Sequence, residues 1–254
     1  EIAQCLVGSE MCIRDRQIPC GKAGLGSVRD KRAGQRLRNG RGALFRQSRQ
    51  AGQTAQSAES ALMGTAFEAE RSIITTYRKR IWGRFVRGVK EFSMANDGDR
   101  IAVCISGGKD SMLLAKCMQE LQRHSLTKFD LEFICMDPGY APANRAKIEE
   151  NAALLEIPVK IFNSDVFAVS EKLRAEKPCY LCARMRRGFL YERAAELGCN
   201  KIALGHHFDD VIETLLMGII YAAQIGGMLP RLKSTSHPGM ELIRPLYYVH
   251  EKDI

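Results

Sequence analysis

No stretch of the sequence approaches the roughly 18 consecutive apolar residues of a membrane-spanning helix. The best candidate, Leu215 to Ala223, is about half that length. No secretory leader is recognisable, because Leu6 and Val7 make no apolar core of useful length. No internal repeat shows, and residues 1–62 carry no sustained apolar period. Nine cysteines without a leader argue for reduced thiols, metal binding or catalysis rather than a disulfide framework.

What is present suits one globular domain with an appendage: 254 residues, 45% hydrophobic and 26% charged. The net charge of +9 is unevenly distributed. Residues 1–62 hold eleven Lys/Arg and five Asp/Glu, against 27 and 24 in the remainder. Most of the basic excess therefore lies outside the patterned region and is weak evidence for nucleic-acid binding. Rich in Gly, Gln, Ser and Arg, residues 1–62 are expected to be a disordered or artefactual extension. The stretch from Cys5 to Arg16 is similar to the in-frame translation of a sequencing-library transposon adapter, which makes Met63 the expected start. A natural basic arm for RNA is the alternative.

The patterned region begins with a helical segment over 63–97. Tyr77, Ile81, Phe85, Val89 and Phe92 form one apolar stripe, while Arg78, Lys79, Arg80, Arg84, Arg87 and Lys90 occupy much of the rest. That face is either solvated or turned to RNA. Asn96 to Asp99 ends the helix by turn chemistry. Residues 98–254 then alternate strands and helices. Strands are expected at 101–105, 131–136, 158–162, 201–204 and 240–243, and helices at 143–155, 164–173, 185–197 and 209–221. Such a βαβ series predicts an α/β fold with a doubly wound, mostly parallel sheet.

Three stretches carry chemistry. Ser106-Gly-Gly-Lys-Asp-Ser111 follows the first strand and opens a helix. Two glycines turn the chain tightly, and the helix N-terminus offers unpaired N–H groups to phosphate, aided by Lys109 and two hydroxyls. The spacing is not Walker A, which needs Gly-x4-Gly-Lys-Ser/Thr. Gly205-His-His-Phe-Asp-Asp210 follows the fourth strand, so it can face that turn across the sheet's carboxyl edge. Asp209 and Asp210 beside phosphates suit Mg²⁺, or else simply cap the helix. His206 or His207 could donate to phosphate or move a proton. Cys179-Tyr-Leu-Cys182 puts two soft thiolates within reach of one metal, with Arg184, Arg186, Arg187 and Arg193 following to favour the thiolate or to hold RNA phosphates. Alone, the pair fits half a zinc site, a redox dithiol or half a cluster site. Cys104, Cys117, Cys135 and Cys199 lie in apolar surroundings and read as buried small hydrophobes.

Ser106 to Ser111 resembles the pyrophosphate loop of the N-type ATP pyrophosphatases, which cleave ATP between the α and β phosphates and adenylate a substrate. Three further motifs narrow the resemblance. Lys177-Pro-Cys-Tyr-Leu-Cys-Ala-Arg-Met-Arg-Arg-Gly188, the run Lys201 to Asp210, and Ile243-Arg-Pro-Leu-Tyr247 are together similar to the tRNA 2-thiocytidine synthetase family, over roughly residues 70–254. The resemblance implies an adenine nucleotide alpha hydrolase-like fold and an ATP-dependent tRNA sulfurtransferase. In that reading Lys109, Asp110, Cys179 and Cys182 are catalytic. Ser106, Gly107, Gly108, Lys109, Asp110, Ser111, Asp137, Gly205 and His206 hold the nucleotide, and Asp209 and Asp210 hold Mg²⁺. Cys179 and Cys182 match two of three ligands of a 4Fe-4S cluster. The third is expected beyond residue 254, so the chain is expected to be C-terminally incomplete. The expected partners are tRNA, a sulfur donor such as a cysteine desulfurase, and a second copy in a homodimer, all in the cytoplasm with no membrane contact. Another tRNA-modifying adenylating enzyme, such as tRNA(Ile)-lysidine synthetase, remains the nearest alternative. A non-catalytic zinc-stabilised RNA-binding module is the alternative from another class.

Overall fold

The computed structural model describes residues 64–164, 178–223 and 225–254, without the side chains of 178–184 and 222. The extension over 1–62 and the helix expected from Ser164 to Leu173 fall outside these residues, apart from Ser164 itself.

A helix over 64–74, α1, leads through a π-helical turn at Arg78–Trp82 into α2, Gly83–Glu91. Of the apolar stripe, Ile81, Phe85 and Val89 are buried, whereas Tyr77 is exposed. The helix stops at Glu91, earlier than the Asn96 turn. Ser93 takes a left-handed φ of 48°, and the Asn96 amide then donates to Asp99 Oδ2 to shape the approach to the sheet.

The sheet comprises β1 Arg100–Cys104, β2 Asp130–Asp137, β3 Val159–Asn163, β4 Lys201–Ala203, β5 Arg231–Lys233 and β6 Glu241–Ile243. Their spatial order is β3-β2-β1-β4-β6-β5, parallel throughout except for the antiparallel β5–β6 pair. The doubly wound, mostly parallel expectation is met. Strand β5 was not legible in the sequence: it has three residues, two of them charged, and little burial. It occupies an edge, where such residues belong.

Each central strand is covered on both faces, so alternate residues enter different cores. Ile101, Val103 and Ile105 pack with Phe85, Leu114, Met118 and Phe133 under the helices α1, α2 and α3, the last being Lys109–His124. Ala102 and Cys104 pack on the other side with Tyr191, Ala194 and Ile202. That second layer belongs to α5, Pro178–Glu196. It begins seven residues before the expected Met185, with a proline at the first helical position, where its missing N–H costs nothing. Among the described residues the remaining α-helices are α4, Pro142–Leu154, and α6, Phe208–Ala222. Cys104, Cys117, Cys135 and Cys199 are free and buried, as their surroundings implied. Among the described residues no helix is long and apolar enough to cross a membrane.

One buried ion pair ties α1 to α3. Lys116 on α3 is 2% exposed. Its Nζ meets Glu70 Oε1 at 2.5 Å and donates to the Leu155 carbonyl at 2.8 Å. Glu70 also takes Arg123. Burial pushes the Glu70 pKa up, but hydrogen bonds from Arg123 and Lys116 outweigh it and hold the carboxyl below its ordinary range. Removing the carboxylate strands a buried ammonium, so Glu70→Ala should cost about 3 kcal/mol in denaturant unfolding. Because the folded-state pKa is depressed, this contribution is present above the ordinary Glu value. It fades as pH falls below that value, and the Glu70→Ala chain should lose that part of the acid sensitivity.

Candidate active site

The chain runs β1, β2, β3 towards one edge and then returns to place β4 on the other side of β1. Ile101 pairs with Lys201 and Val103 with Ala203, so the two strands end side by side. Loops that leave neighbouring strands in opposite directions open a crevice between them. Here the two loops are Ser106–Ser111 and Gly205–Asp210.

The first loop is shaped by its glycines and tied by its serines. Gly107 has φ +86°, and a Cβ there would lie 2.6 Å from Ile148 Cγ1 on α4. Ser111 Oγ donates to the Gly108 carbonyl at 2.8 Å and accepts from the Ser106 amide at 3.2 Å. Ser106 Oγ accepts from the Gly108 amide at 3.4 Å. Gly108 is the N-cap of α3, and no side chain caps this end. The first-turn N–H groups and the positive end of the helix dipole are therefore offered to an anion.

Gly205 brings the second loop against the first. A Cβ there would stand 3.2 Å from the Ser111 amide nitrogen and 3.3 Å from the Asp110 carbonyl carbon. His207 caps α6 in a reciprocal box: its Nδ1 accepts from the Asp210 amide, and its own amide donates to Asp210 Oδ2 at 2.8 Å. His207 is thus a structural cap. Asp209 Oδ2 accepts from the Glu251 amide at 2.7 Å. This bond, with nearby His207 and His250, outweighs burial and keeps the Asp209 carboxyl ionised below its usual range. Each aspartate thus gives one oxygen to a backbone amide. Among the described residues no group of three or more His, Cys, Asp or Glu is arranged around a metal position.

Lys109 Nζ stands 3.4 Å from Asp110 Oδ1 and 3.5 Å from Glu251 Oε1, so the loop's cation meets two carboxylates. Asp110 Oδ1 is buried and has no hydrogen-bond partner. Asp137, one strand away, is fully engaged. Its Oδ1 accepts from the Gly139 and Tyr140 amides, and its Oδ2 from Arg145 at 3.0 Å. Burial would raise its pKa, but these donors hold it below the ordinary value. These bonds fix the loop that follows β2.

His206, offered by the sequence as a phosphate donor or proton carrier, follows β4 at the crevice. Its Nδ1 is buried without a hydrogen-bond partner. Burial, and then the charges of Arg244, His207 and Arg187, push its pKa down to about 3. The ring is neutral at physiological pH and offers polarity without charge. Arg244 was given no role from the sequence beyond its place in the Ile243-Arg-Pro run. It follows β6 directly and is half-buried; its Nη1 donates to the Leu229 carbonyl, and its Nε is buried without a hydrogen-bond partner. Burial and the nearby Arg187 lower its pKa to about 10. Arg244 after β6, Arg187 on α5 and neutral His206 after β4 make an electropositive corner beside the crevice. Its signal in the sequence was Ile243-Arg-Pro, but only the sheet order joins Arg244 to His206.

Cys179 and Cys182 lie three residues apart at the start of α5, and their side chains fall outside the described ones. The four described cysteines offer no third ligand here. Burial pushes Cys104 and Cys117 far above the ordinary thiol value, and Cys135 and Cys199 up to about 11.

Comparison with known proteins agrees with this geometry. Residues 83–254 match the family described as the PP-loop domain. A tRNA-cytidine(32) 2-sulfurtransferase of Bdellovibrio bacteriovorus is 38% identical over 193 residues, covering 76% of this chain and 73% of that protein. One of Paraburkholderia phymatum is also 38% identical, over 178 residues, covering 69% of this chain and 53% of that protein. The chain thus spans between about half and three-quarters of the length of these two relatives. Among solved structures, the U34-tRNA thiolase NcsA from Methanococcus maripaludis, with its [4Fe-4S] cluster, superposes with a TM-score of 0.54. The identity is 24%, over 67% of this chain and 60% of that one, which is a likeness of fold.

Gly107→Ala combines a left-handed residue with a collision against Ile148. It should lower stability by about 2–4 kcal/mol in denaturant unfolding and weaken ATP binding in parallel. Adding Ile148→Ala, which removes both Cγ1 and Cδ1, should return only the steric part, because the φ penalty stays.

Proposed function

The chain belongs to the PP-loop family, among relatives that are tRNA-cytidine(32) 2-sulfurtransferases, and on that premise we propose that it activates a tRNA cytidine with ATP for exchange of its C2 oxygen for sulfur. The observation that carries this reading is the contact of Gly205 with the uncapped first turn of α3, which joins a phosphate cup to a second polar loop.

A pyrimidine C2 carbonyl is a weak electrophile whose oxygen leaves poorly. Attack of that oxygen on the ATP α-phosphorus expels pyrophosphate and makes it a phosphate-ester leaving group. Attack of a sulfur nucleophile at C2 then expels AMP. Lys109, the N–H groups of the Gly107–Gly108 turn and the Ser106 and Ser111 hydroxyls stabilise the charge that gathers on pyrophosphate. Asp110 and Glu251 keep Lys109 placed in the absence of nucleotide, and phosphate oxygens replace Glu251 when ATP binds. Asp209 and Asp210 suit Mg²⁺, which needs only one or two carboxylates when phosphates supply its other oxygens. Arg187 and Arg244 provide positive potential for the AMP ester, while neutral His206 adds polarity. The cytidine must be unpaired or flipped out to reach the crevice. The setting is the cytoplasm, with a cysteine desulfurase or similar donor supplying sulfur.

A 4Fe-4S cluster, when bound, offers a coordination site for the transferred sulfur. This chain supplies Cys179 and Cys182 towards it. The four other described cysteines, Cys104, Cys117, Cys135 and Cys199, are buried thiols. The Cys-x-x-Cys pair weighs against a lysidine synthetase, whose reaction needs no thiol.

Lys109→Ala should reduce tRNA-dependent pyrophosphate release at least 100-fold, a loss typical of removing one charge-stabilising group, with the thermal unfolding midpoint unchanged. Release of ADP and inorganic phosphate by the unsubstituted chain would refute cleavage between the α and β phosphates. After anaerobic reconstitution the chain should bind iron, up to the roughly four of a complete cluster. Cys179→Ala should remove that iron and leave ATP affinity unchanged.

A further inference from the structure

We propose that the outward face of α2 and its π-helical lead-in, carrying Arg78, Lys79, Arg80, Arg87 and Lys90, is the surface on which the tRNA backbone lies; this rests on the reading given under Proposed function. All five side chains are exposed. Their stripe runs opposite the buried face of Ile81, Phe85 and Val89, and from Arg80 to Lys90 it extends about 15 Å, enough to meet several backbone phosphates. Carboxylates neutralise little of it. Arg84 takes Asp253 at 3.0 Å, while Arg80 is 4.0 Å from the same carboxylate and stays 70% exposed. Arg87 is 3.2 Å from Glu91 and 69% exposed, its guanidinium 4.9 Å above the Tyr248 ring.

Two observations place the stripe beside the reaction centre and argue for a built surface. First, α2 packs on the segment that follows β6: Gly88 approaches Tyr248 and Pro245, and Tyr248 donates to Glu91 at 2.8 Å. The same segment continues into the turn Glu251–Asp253, where Asp253 holds Arg84 while Glu251 reaches Lys109 and Asp209. One three-residue turn thus touches both the basic helix and the phosphate cup. Second, the Arg78-Lys-Arg80 cluster sits on a π-helical turn, a departure from α geometry that is frequent at functional sites. That turn closes on Gly83, where a Cβ would come within 3.1 Å of the Arg78 carbonyl oxygen. A glycine at this exposed position also leaves the backbone open between the Arg80 and Arg87 side chains.

The test compares the full chain with Lys79→Gln/Arg87→Gln/Lys90→Gln, and with a control triple elsewhere on the surface, Lys128→Gln/Lys147→Gln/Lys233→Gln. All three proteins keep residues 1–62, so the comparison isolates α2. The readout is fluorescence anisotropy with labelled tRNA between roughly 50 and 200 mM salt. The α2 triple should weaken tRNA binding at least 10-fold and flatten the slope of log K against log salt by about 2–3, near one per lost phosphate contact. The control triple should change both far less, and ATP affinity and the thermal midpoint should be unchanged in both. Equal tRNA affinity and slope in the α2 triple and the unsubstituted chain would overturn the proposal while leaving the functional reading intact. Failure of the unsubstituted chain to bind tRNA, with ATP still bound, would overturn that reading and this surface together. Loss in the α2 triple of binding to vesicles of phosphatidylserine and phosphatidylcholine, with tRNA binding unchanged, would assign the face to anionic lipid and overturn the proposal.

Discussion

The approach of Gly205 to the first turn of α3 is the contact on which the rest of the site depends. A Cβ there would stand 3.2–3.3 Å from the backbone of Asp110 and Ser111, tighter than ordinary contact, so glycine lets the two loops close without displacing that backbone. The closure is possible because β1 and β4 are neighbours whose connections leave in opposite directions. A parallel sheet that grew towards one edge only would have no such crevice.

Charge is distributed around that contact in two different ways. On one side, Lys109, Asp110, Glu251, Asp209 and Asp253 form a chain of partly exposed ionic groups that phosphates can enter by exchange. On the other, His206 Nδ1 and Arg244 Nε are buried atoms without hydrogen-bond partners in half-buried side chains, so their polarity is little screened. Burial gives these two groups opposite outcomes. The arginine remains cationic even with its pKa lowered to about 10, whereas the histidine is driven neutral. Buried structural pairs elsewhere, such as Lys116 with Glu70 and Lys201 with Asp99, take no part in this exchange.

Much of the fold was legible because burial on both faces leaves continuous apolar runs. Residues 101–105 and 131–136 stand out for that reason, and the structure has strands there. Strand β5 was not legible, since an exposed three-residue edge has no pattern to read. The helix end at Glu91 was misjudged because the turn residues at 96–99 shape the entry to β1 instead. His206 and His207 are adjacent in the motif and chemically alike in sequence. One is a half-buried ring driven neutral, and the other, more deeply buried, caps a helix.

By itself the sequence determined the chemistry on offer: a glycine turn followed by Lys109 at a helix start, paired carboxylates at Asp209–Asp210, and two thiols at Cys179 and Cys182. These are local features, set by the chain's conformational freedom over a few residues and by side-chain type. Tertiary structure alone decided which of them meet. Strand order set Gly205 against Ser111, carried Arg244 to His206, and brought the Glu251–Asp253 turn between Lys109 and Arg84. It also decided which carboxylates are already occupied, because hydrogen bonds such as the Glu251 amide to Asp209 join residues 42 apart, and local pattern carries no information at that range.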